Sequence, residues 1–203
     1  ALLPTAKDFA DPFVEPVKVI REWDGESAGD QFGWIARSIG DVDHDGVADF
    51  VTSAPTKDVH GANAGRVYTY SSKTGNLLWS ADGKPGEQLG TGVESAGDVD
   101  GDGTQDVIAG APYSGRAYIY SGKDGRTLFT VRAENDSDAF GQHVSTAGDV
   151  DHDGHADFIV GAPANNAGGR GAGRAYGYSG KDGDVLRTLP GERAGDAVVS
   201  RVR

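Results

Sequence analysis

The 203-residue sequence contains no cysteine, no methionine and no long hydrophobic segment. Without cysteine the chain has no disulfide, no thiolate-bound zinc and no cysteine nucleophile. No apolar run approaches the roughly 18 residues that a membrane-spanning helix needs. Because methionine is absent, we expect that the chain is not a full translation product, through processing, loss of an initiator methionine or fragmentation.

Basic residues are also scarce. The chain has 19 Lys and Arg against 31 Asp and Glu, which gives a formal net charge of −12. This balance argues against a nucleic-acid-binding surface, which needs clustered basic side chains, and against docking on anionic lipid. Asp far outnumbers Glu, so the acidity needs an explanation beyond solubility.

Most of the excess Asp lies in a nine-residue pattern that occurs three times, Asp-x-Asp-x-Asp-Gly-x-x-Asp. The copies begin at Asp41, Asp98 and Asp149, so successive copies are 57 and 51 residues apart. Each copy follows an apolar-Gly pair and precedes a small-Ala-Pro triplet and a Gly-Arg-x-Tyr-x-Tyr-Ser segment. Landmarks that recur at fixed offsets indicate a repeated structural unit. The pairs are Phe32-Gly33, Leu89-Gly90 and Phe140-Gly141, and the triplets begin at Ser53, Gly110 and Gly161.

Each unit is predicted to form four short strands. The Tyr-x-Tyr alternation has a period of two, which is typical of a strand. Asp-Gly and Thr-Gly between apolar runs indicate hairpin turns, and frequent Gly and Pro exclude long helices. Four strands in about 50 residues, repeated, predict the blades of an all-β propeller. We expect the Tyr-x-Tyr residues and all three Trp, at positions 23, 34 and 79, to pack between blades.

The chemistry of the Asp pattern predicts a metal site in each unit. Alternate Asp residues of a tight loop can direct their carboxylates to one centre, and the Gly at position 6 permits the sharp bend. Oxygen ligands in this number suit Ca²⁺, whereas zinc would favour His or Cys. The alternative is that the Asp-Gly-rich turns only close hairpins, but three copies with the same spacing favour a metal site. The pattern contributes 12 Asp in all, which equals the whole net charge of −12.

An EF-hand begins with the same residues, but it needs a bidentate Glu at position 12. Position 12 is Thr52, Ala109 and Val160 in the three copies, so the EF-hand interpretation fails in each. No nucleophile elbow, His pair or phosphate loop is present, and Glu94 is a lone acid without an evident partner. The sequence therefore predicts a protein that is not an enzyme.

These landmarks resemble the FG-GAP repeats, which occur in the propeller of integrin alpha subunits and in many secreted bacterial proteins. The resemblance covers residues ~17 to 203, with Leu89 in place of Phe and Ser53 in place of Gly. It implies three Ca²⁺ sites, whose ligands would be four Asp carboxylates and the carbonyl at position 7. The implied ligands are Asp41, Asp43, Asp45, Val47 and Asp49; Asp98, Asp100, Asp102, Thr104 and Asp106; and Asp149, Asp151, Asp153, His155 and Asp157.

The resemblance also sets the expected division of the chain. We expect an incomplete propeller of three four-stranded blades, because propellers of this family typically have seven. Such a stack would leave blade faces uncovered, to be completed by another chain or by a second copy. The expected segments are a Pro-containing lead-in (1–16), an outer closing strand and loop (17–31), three blades (32–88, 89–139 and 140–195) and the start of a further blade (196–203).

In propellers of this family the ligand-binding loops lie on the face opposite the calcium loops. The resemblance therefore implies an extracellular, cell-surface or periplasmic module for adhesion or for binding a protein or glycan ligand. Low cytosolic calcium would leave such sites largely empty, which also favours an extracytoplasmic setting. Two alternatives remain: the scaffold part of a secreted polysaccharide lyase or phospholipase whose catalytic residues lie elsewhere, and a purely structural scaffold.

Overall fold

The computed structural model describes residues 19–196, which form twelve strands and no α-helix. The strands make three separate four-stranded antiparallel sheets, and two single-turn 3₁₀ helices lie at Pro112–Ser114 and Asp136–Asp138. The strands are β1 Ala36–Gly40, β2 Asp49–Ala54, β3 Arg66–Tyr70, β4 Leu77–Asp82, β5 Gly92–Gly97, β6 Asp106–Ala111, β7 Arg116–Tyr120, β8 Thr127–Arg132, β9 His143–Gly148, β10 Asp157–Ala162, β11 Arg174–Tyr178 and β12 Val185–Pro190.

Each sheet is a meander in which strands that follow one another along the chain are hydrogen-bonded neighbours. Blade 1 is β1–β4, blade 2 is β5–β8 and blade 3 is β9–β12. The first strands face one another across the stack, with β5 packed between β1 and β9. This arrangement confirms the predicted all-β fold, an incomplete propeller of three four-stranded blades.

The hydrophobic core lies between the blades. One cluster fills the seam between blades 1 and 2 and includes Val51 and Val107, while a second fills the seam between blades 2 and 3 and includes Ile108 and Phe158. Successive residues Val107 and Ile108 of β6 therefore serve opposite seams, as the period-two geometry of a strand requires. Both faces of β6 are covered, and all six of its residues are buried.

Glycine permits the close approach of neighbouring blades. A Cβ placed on Gly110 of blade 2 would lie 1.7 Å from the carbonyl oxygen of Gly141 in blade 3. Gly141 also donates its N–H to the carbonyl of Gly161 in its own sheet, at 2.9 Å. The Gly of the apolar-Gly pair and the Gly of the Gly-Ala-Pro triplet are thus required by backbone contacts.

The segment before blade 1 contacts that blade without forming an assigned strand. Trp23 packs edge-on against Phe50, with 4.7 Å between ring centroids, and donates its indole N–H to the carbonyl of Gly75. Trp79 of β4 makes the same kind of hydrogen bond to Gly122 in blade 2. The outer strand predicted over 17–31 is therefore not found among residues 19–31, which contact blade 1 through side chains such as Arg21 and Trp23 and not through a strand ladder. The lead-in 1–16 and nearly all of 196–203 lie outside the described residues.

Within residues 19–196 no helix is long and apolar enough to cross a membrane.

Candidate metal centre

The three Asp-rich segments connect the first strand of each blade to the second. Loop 1 is residues 41–49, loop 2 is 98–106 and loop 3 is 149–157. Because consecutive strands are antiparallel, all three loops lie at the same end of their blades, called here the aspartate end. Loops 2 and 3 touch: Ala156 donates its N–H to the carbonyl of Asp98 at 2.8 Å, and His155 Nδ1 lies 2.7 Å from the carbonyl oxygen of Val99.

Three carboxylates converge in each loop. In every case one oxygen from each of three Asp residues lies within 4.8 Å of the others. Two ligands on opposite sides of a Ca²⁺ ion are about this far apart, given ligand distances of ~2.3–2.6 Å. Of the four predicted Asp ligands per loop, the structure thus brings three together. The converging residues are Asp41, Asp43 and Asp45; Asp98, Asp100 and Asp106; and Asp149, Asp151 and Asp157.

Backbone hydrogen bonds hold the fifth residue of each loop. The position 5 carboxylate accepts the N–H of the position 7 residue at 2.9–3.0 Å, and these position 7 residues are Val47, Thr104 and His155. Their carbonyls, which the resemblance assigns as ligands, remain predictions. The predicted ligands that lie outside the converging trios are Asp49 of loop 1, Asp102 of loop 2 and Asp153 of loop 3.

The fourth residue of each loop has left-handed backbone geometry. Its φ is +58° at His44, +75° at Gly101 and +63° at His152. Both His side chains are exposed, so they point away from the carboxylates and into solvent, as expected. His is among the non-glycine residues that tolerate this conformation best.

The ninth residue has a structural role that the sequence interpretation missed. Asp49, Asp106 and Asp157 are almost completely buried, and each accepts N–H groups from two separate segments. In loop 2, one oxygen of Asp106 accepts from Val99 at 2.8 Å and the other accepts from Gly122 at 2.9 Å. The ninth Asp therefore ties its own loop to the turn between the third and fourth strands.

Burial raises the pKa of Asp106 to about 6, and the nearby charge of Asp100 acts in the same direction. The backbone N–H donors oppose this rise because they favour the carboxylate. The ninth Asp of loop 2 is therefore an unfavourably placed negative charge that a bound cation would stabilise.

Loop 2 also holds a carboxylate oxygen without a partner. Asp98 Oδ1 is buried and has no hydrogen-bond donor among the described residues. The equivalent oxygens of Asp41 and Asp149 accept the N–H of the fifth loop residue, at 2.9 and 3.0 Å. A buried acceptor left free is costly unless something binds it. The donor set is all oxygen, so the residues present fit a hard divalent cation.

The opposite end of the blades carries the second-to-third and fourth-to-first connections. A cavity of about 400 Å³ opens there between blades 2 and 3. Tyr113, the one Tyr outside the Tyr-x-Tyr strands, lines this cavity and is 67 % exposed. The remaining lining residues are Thr91, Pro112, Asp136, Ser137, Ala139 and Gln142.

The expectation that all three Trp pack between blades is wrong for Trp34. It is 54 % exposed at this opposite end, and its indole N–H donates to the carbonyl of Thr91, so it does not pack between blades. Trp79, in contrast, lies in the seam between blades 1 and 2, as predicted.

A Glu, an Arg and a Tyr form a cluster near the opposite end of each blade, which the sequence interpretation did not find. In blade 2, Glu87 is buried and accepts hydrogen bonds from Arg116 at 2.8 Å and from the Tyr118 hydroxyl at 3.1 Å. The Arg that recurs in each Gly-Arg-x-Tyr segment is the sequence feature that could have predicted these clusters. The other two clusters are Glu26, Arg66 and Tyr68, and Glu134, Arg174 and Tyr176.

Two family models match the chain. The FG-GAP repeat matches residues 32–70, and an FG-GAP-like repeat matches residues 98–160. The chain belongs to the FG-GAP repeat family. The matched residues include all three loops, so family membership rests on the same segments that bring the carboxylates together.

This FG-GAP chain is similar to integrin alpha subunits. It is 32 % identical to integrin alpha-4 of Xenopus laevis over 148 residues, which is 66 % of the chain and 14 % of that protein. It is 30 % identical to human integrin alpha-6 over 151 residues, 69 % of the chain and 13 % of that protein. The chain thus spans about a seventh of the length of these relatives.

Among solved structures, the chain is similar to a rhamnogalacturonan lyase of Bacillus licheniformis. The TM-score is 0.49 at 17 % sequence identity, covering 78 % of this chain and 34 % of that one. A second rhamnogalacturonan lyase gives a TM-score of 0.49 at 18 % identity, with the same coverage.

Proposed function

We propose that the chain is a calcium-binding, non-catalytic propeller module that mediates adhesion or ligand binding outside the cytoplasm. The observation that carries the proposal is the convergence of three carboxylates in each of three loops. The integrin alpha relatives support an extracellular adhesion or ligand-binding module. Glu94, the lone acid singled out from the sequence, is paired with Arg37 at 2.9 Å, which supports a structural role for it.

Calcium is the cation we assign to the three loops. The ligands would be the Asp carboxylates of loops 1–3 with the position 7 carbonyls, and the ion would supply charge neutralisation rather than a reactive group. Closely spaced carboxylates repel one another without a counter-ion. At ~1 mM calcium, a site with a Kd near 10⁻⁵ M would stabilise the folded state by roughly 2.7 kcal/mol.

Thermal melting tests this assignment. The chain is melted in 1 mM CaCl₂, in 1 mM MgCl₂ and in EGTA, and we expect the calcium sample to melt at the highest temperature. Magnesium demands a stricter octahedral geometry and serves as the matched control. A melting temperature that does not depend on the added cation would refute calcium binding.

The opposite end of the blades is the proposed ligand surface. Its connections differ in length between blades while the scaffold stays constant, which is typical of recognition loops. The cavity beside Tyr113 supplies an exposed aromatic ring, and its rim includes the polar side chains of Ser137 and Gln142. We infer that a protein or glycan ligand contacts this cavity.

Binding to a glycan array and to immobilised matrix proteins tests the surface. Tyr113→Ala should reduce any binding found, because it removes the exposed ring. Leu77→Ala, an exposed change on β4 of blade 1, is the control and should leave binding intact. Equal binding by wild type and Tyr113→Ala would place the ligand elsewhere.

The uncovered face of blade 3 is the proposed site of a further blade, from another chain or from a second copy. Val150 is 58 % exposed, whereas its counterparts Val42 and Val99 are buried in the seams. Leu186 and Leu189 of β12 line a cavity of about 700 Å³ on the same face. Light scattering in calcium should detect association, and Leu189→Asp should reduce it. A monodisperse wild-type monomer would contradict this proposal.

A further inference from the structure

The turn between the third and fourth strands of each blade lies beside its Asp loop, and one position in that turn differs in charge. The backbone identifies the position: the Ser that ends the Tyr-x-Tyr-Ser segment donates its N–H to the carbonyl of this residue in all three blades, at 2.8–3.0 Å. The residue is neutral in blade 1, positive in blade 2 and negative in blade 3. These residues are Asn76, Arg126 and Asp184.

Arg126 contacts a carboxylate of the candidate metal site directly. Its Nη2 lies 2.5 Å from Oδ2 of Asp100, whose side chain is only 15 % exposed. Asp100 is one of the three converging carboxylates of loop 2. Lys123 adds a second positive charge, 3.8 Å from Asp102 Oδ2.

The other two loops lack this contact within residues 19–196. In loop 1 the nearby cation, Lys73, donates to the backbone carbonyl of Asp45 and makes no ion pair with a loop carboxylate. In loop 3 the described residues form no ion pair with any loop carboxylate, and the equivalent of Arg126 is the acidic Asp184. The three loops thus have the same ligand pattern and different surroundings.

We propose that Arg126 is a built-in competing cation that makes loop 2 the weakest of the three calcium sites and keeps that loop ordered without metal. This inference rests on the proposed calcium binding. A calcium ion in loop 2 must displace the guanidinium from Asp100 or bind beside a like charge, and either lowers affinity. The same ion pair neutralises part of the repulsion among the carboxylates in the calcium-free chain.

Loop 2 is the middle loop of the three, so its order affects the loops on both sides. Loop 2 contacts loop 3 through the Ala156–Asp98 hydrogen bond, and the side chain of Gln105 lies against Gly40 beside loop 1. Disorder in loop 2 would therefore loosen both of its neighbours. An internal counter-ion at the middle loop preserves these contacts when calcium is low.

Calcium titration of Arg126→Asn by calorimetry tests the inference, because Asn is the residue of blade 1. We expect one of the three sites to tighten by roughly three- to tenfold, the range for removing one like charge near a partly exposed site. Arg132→Asn is the matched control: it makes the same charge change at the far end of β8, the strand that directly follows Arg126. It should leave all three affinities within about twofold.

Melting in EGTA gives a readout that does not need calcium. Arg126→Asn should melt at a lower temperature than Arg132→Asn, because only the first loses the counter-ion of loop 2. An unchanged calcium isotherm for Arg126→Asn, or equal effects of both substitutions, would overturn the proposed role of Arg126. The proposed calcium binding would still stand in that case. Absence of calcium binding in wild type and in both variants would overturn the proposed function itself, and this inference with it.

Discussion

The buried ninth Asp should be needed for stability even when no calcium is present. Asp106→Ala removes the acceptor of three backbone N–H groups, those of Val99, Asp100 and Gly122. Each orphaned buried donor costs ~1–3 kcal/mol, and the low end applies because the substitution also removes a buried charge. We therefore expect a loss of about 3 kcal/mol of unfolding free energy. For a chain of this length the melting temperature would fall by roughly 6–12 °C.

Thermal and urea denaturation in EGTA measure this loss. The control is Asp102→Ala in the same loop, which removes one acceptor, that of the Thr104 N–H, from a partly exposed carboxylate. It should cost less than about 1 kcal/mol in EGTA. If Asp106→Ala does not fold, Asp106→Asn retains one acceptor and should show an intermediate loss. Equal stability of wild type and Asp106→Ala in EGTA would mean that Asp106 serves only as a metal ligand.

Two further substitutions test the seams between blades. Trp79→Ala should destabilise the chain by ~3–5 kcal/mol, because it removes a buried ring and its hydrogen bond to Gly122. Trp79→Phe should recover most of the packing, and urea denaturation compares the two variants. Gly110→Ala should disrupt the packing of blades 2 and 3, because its Cβ would overlap the carbonyl of Gly141. Gly103 is exposed and unobstructed, but its φ is positive, so Gly103→Ala would be strained and is less suitable as a control. Thr127→Ala, at an exposed position of β8, is the comparison. A cooperative transition at the wild-type urea midpoint for Gly110→Ala would contradict the assigned contact.

The repeated pattern made the fold predictable. A unit that recurs three times with the same turn and strand signals constrains each copy far more than a single stretch of sequence would. The predicted strand containing Tyr118 and Tyr120 is β7, and its period-two pattern reflects the two faces of a blade. The convergence of positions 1 and 3 in every loop followed from the same spacing, because alternate residues of a tight loop lie on one side. Position 5 joins them only in loop 1, whereas position 9 is the third member in loops 2 and 3.

The contacts that could not be predicted join residues far apart in the chain. Asp106 reaches Gly122, and Arg126 reaches Asp100, only because the third and fourth strands return to the aspartate end. Neither contact has a local sequence signal.

The exposure of Trp34, unlike these two contacts, could have been predicted from the repeat. The residue after the apolar-Gly pair is Trp34 in unit 1, Thr91 in unit 2 and Gln142 in unit 3. Two polar residues at equivalent positions indicate a position that faces solvent. Comparing the units by position, instead of by residue type, would have predicted the exposure of Trp34.

The metal loops and the hydrophobic core are physically connected through the second residue of each loop. Val42 and Val99 lie between two Asp residues of their loops, yet both are buried members of the seam clusters. Val150, at the same position in loop 3, is exposed because no further blade covers it within the described residues. An ion that fixes the flanking carboxylates therefore also fixes an apolar residue at the end of a seam. Calcium bound in loops 1 and 2 should accordingly stabilise the packing between blades, and not the loops alone.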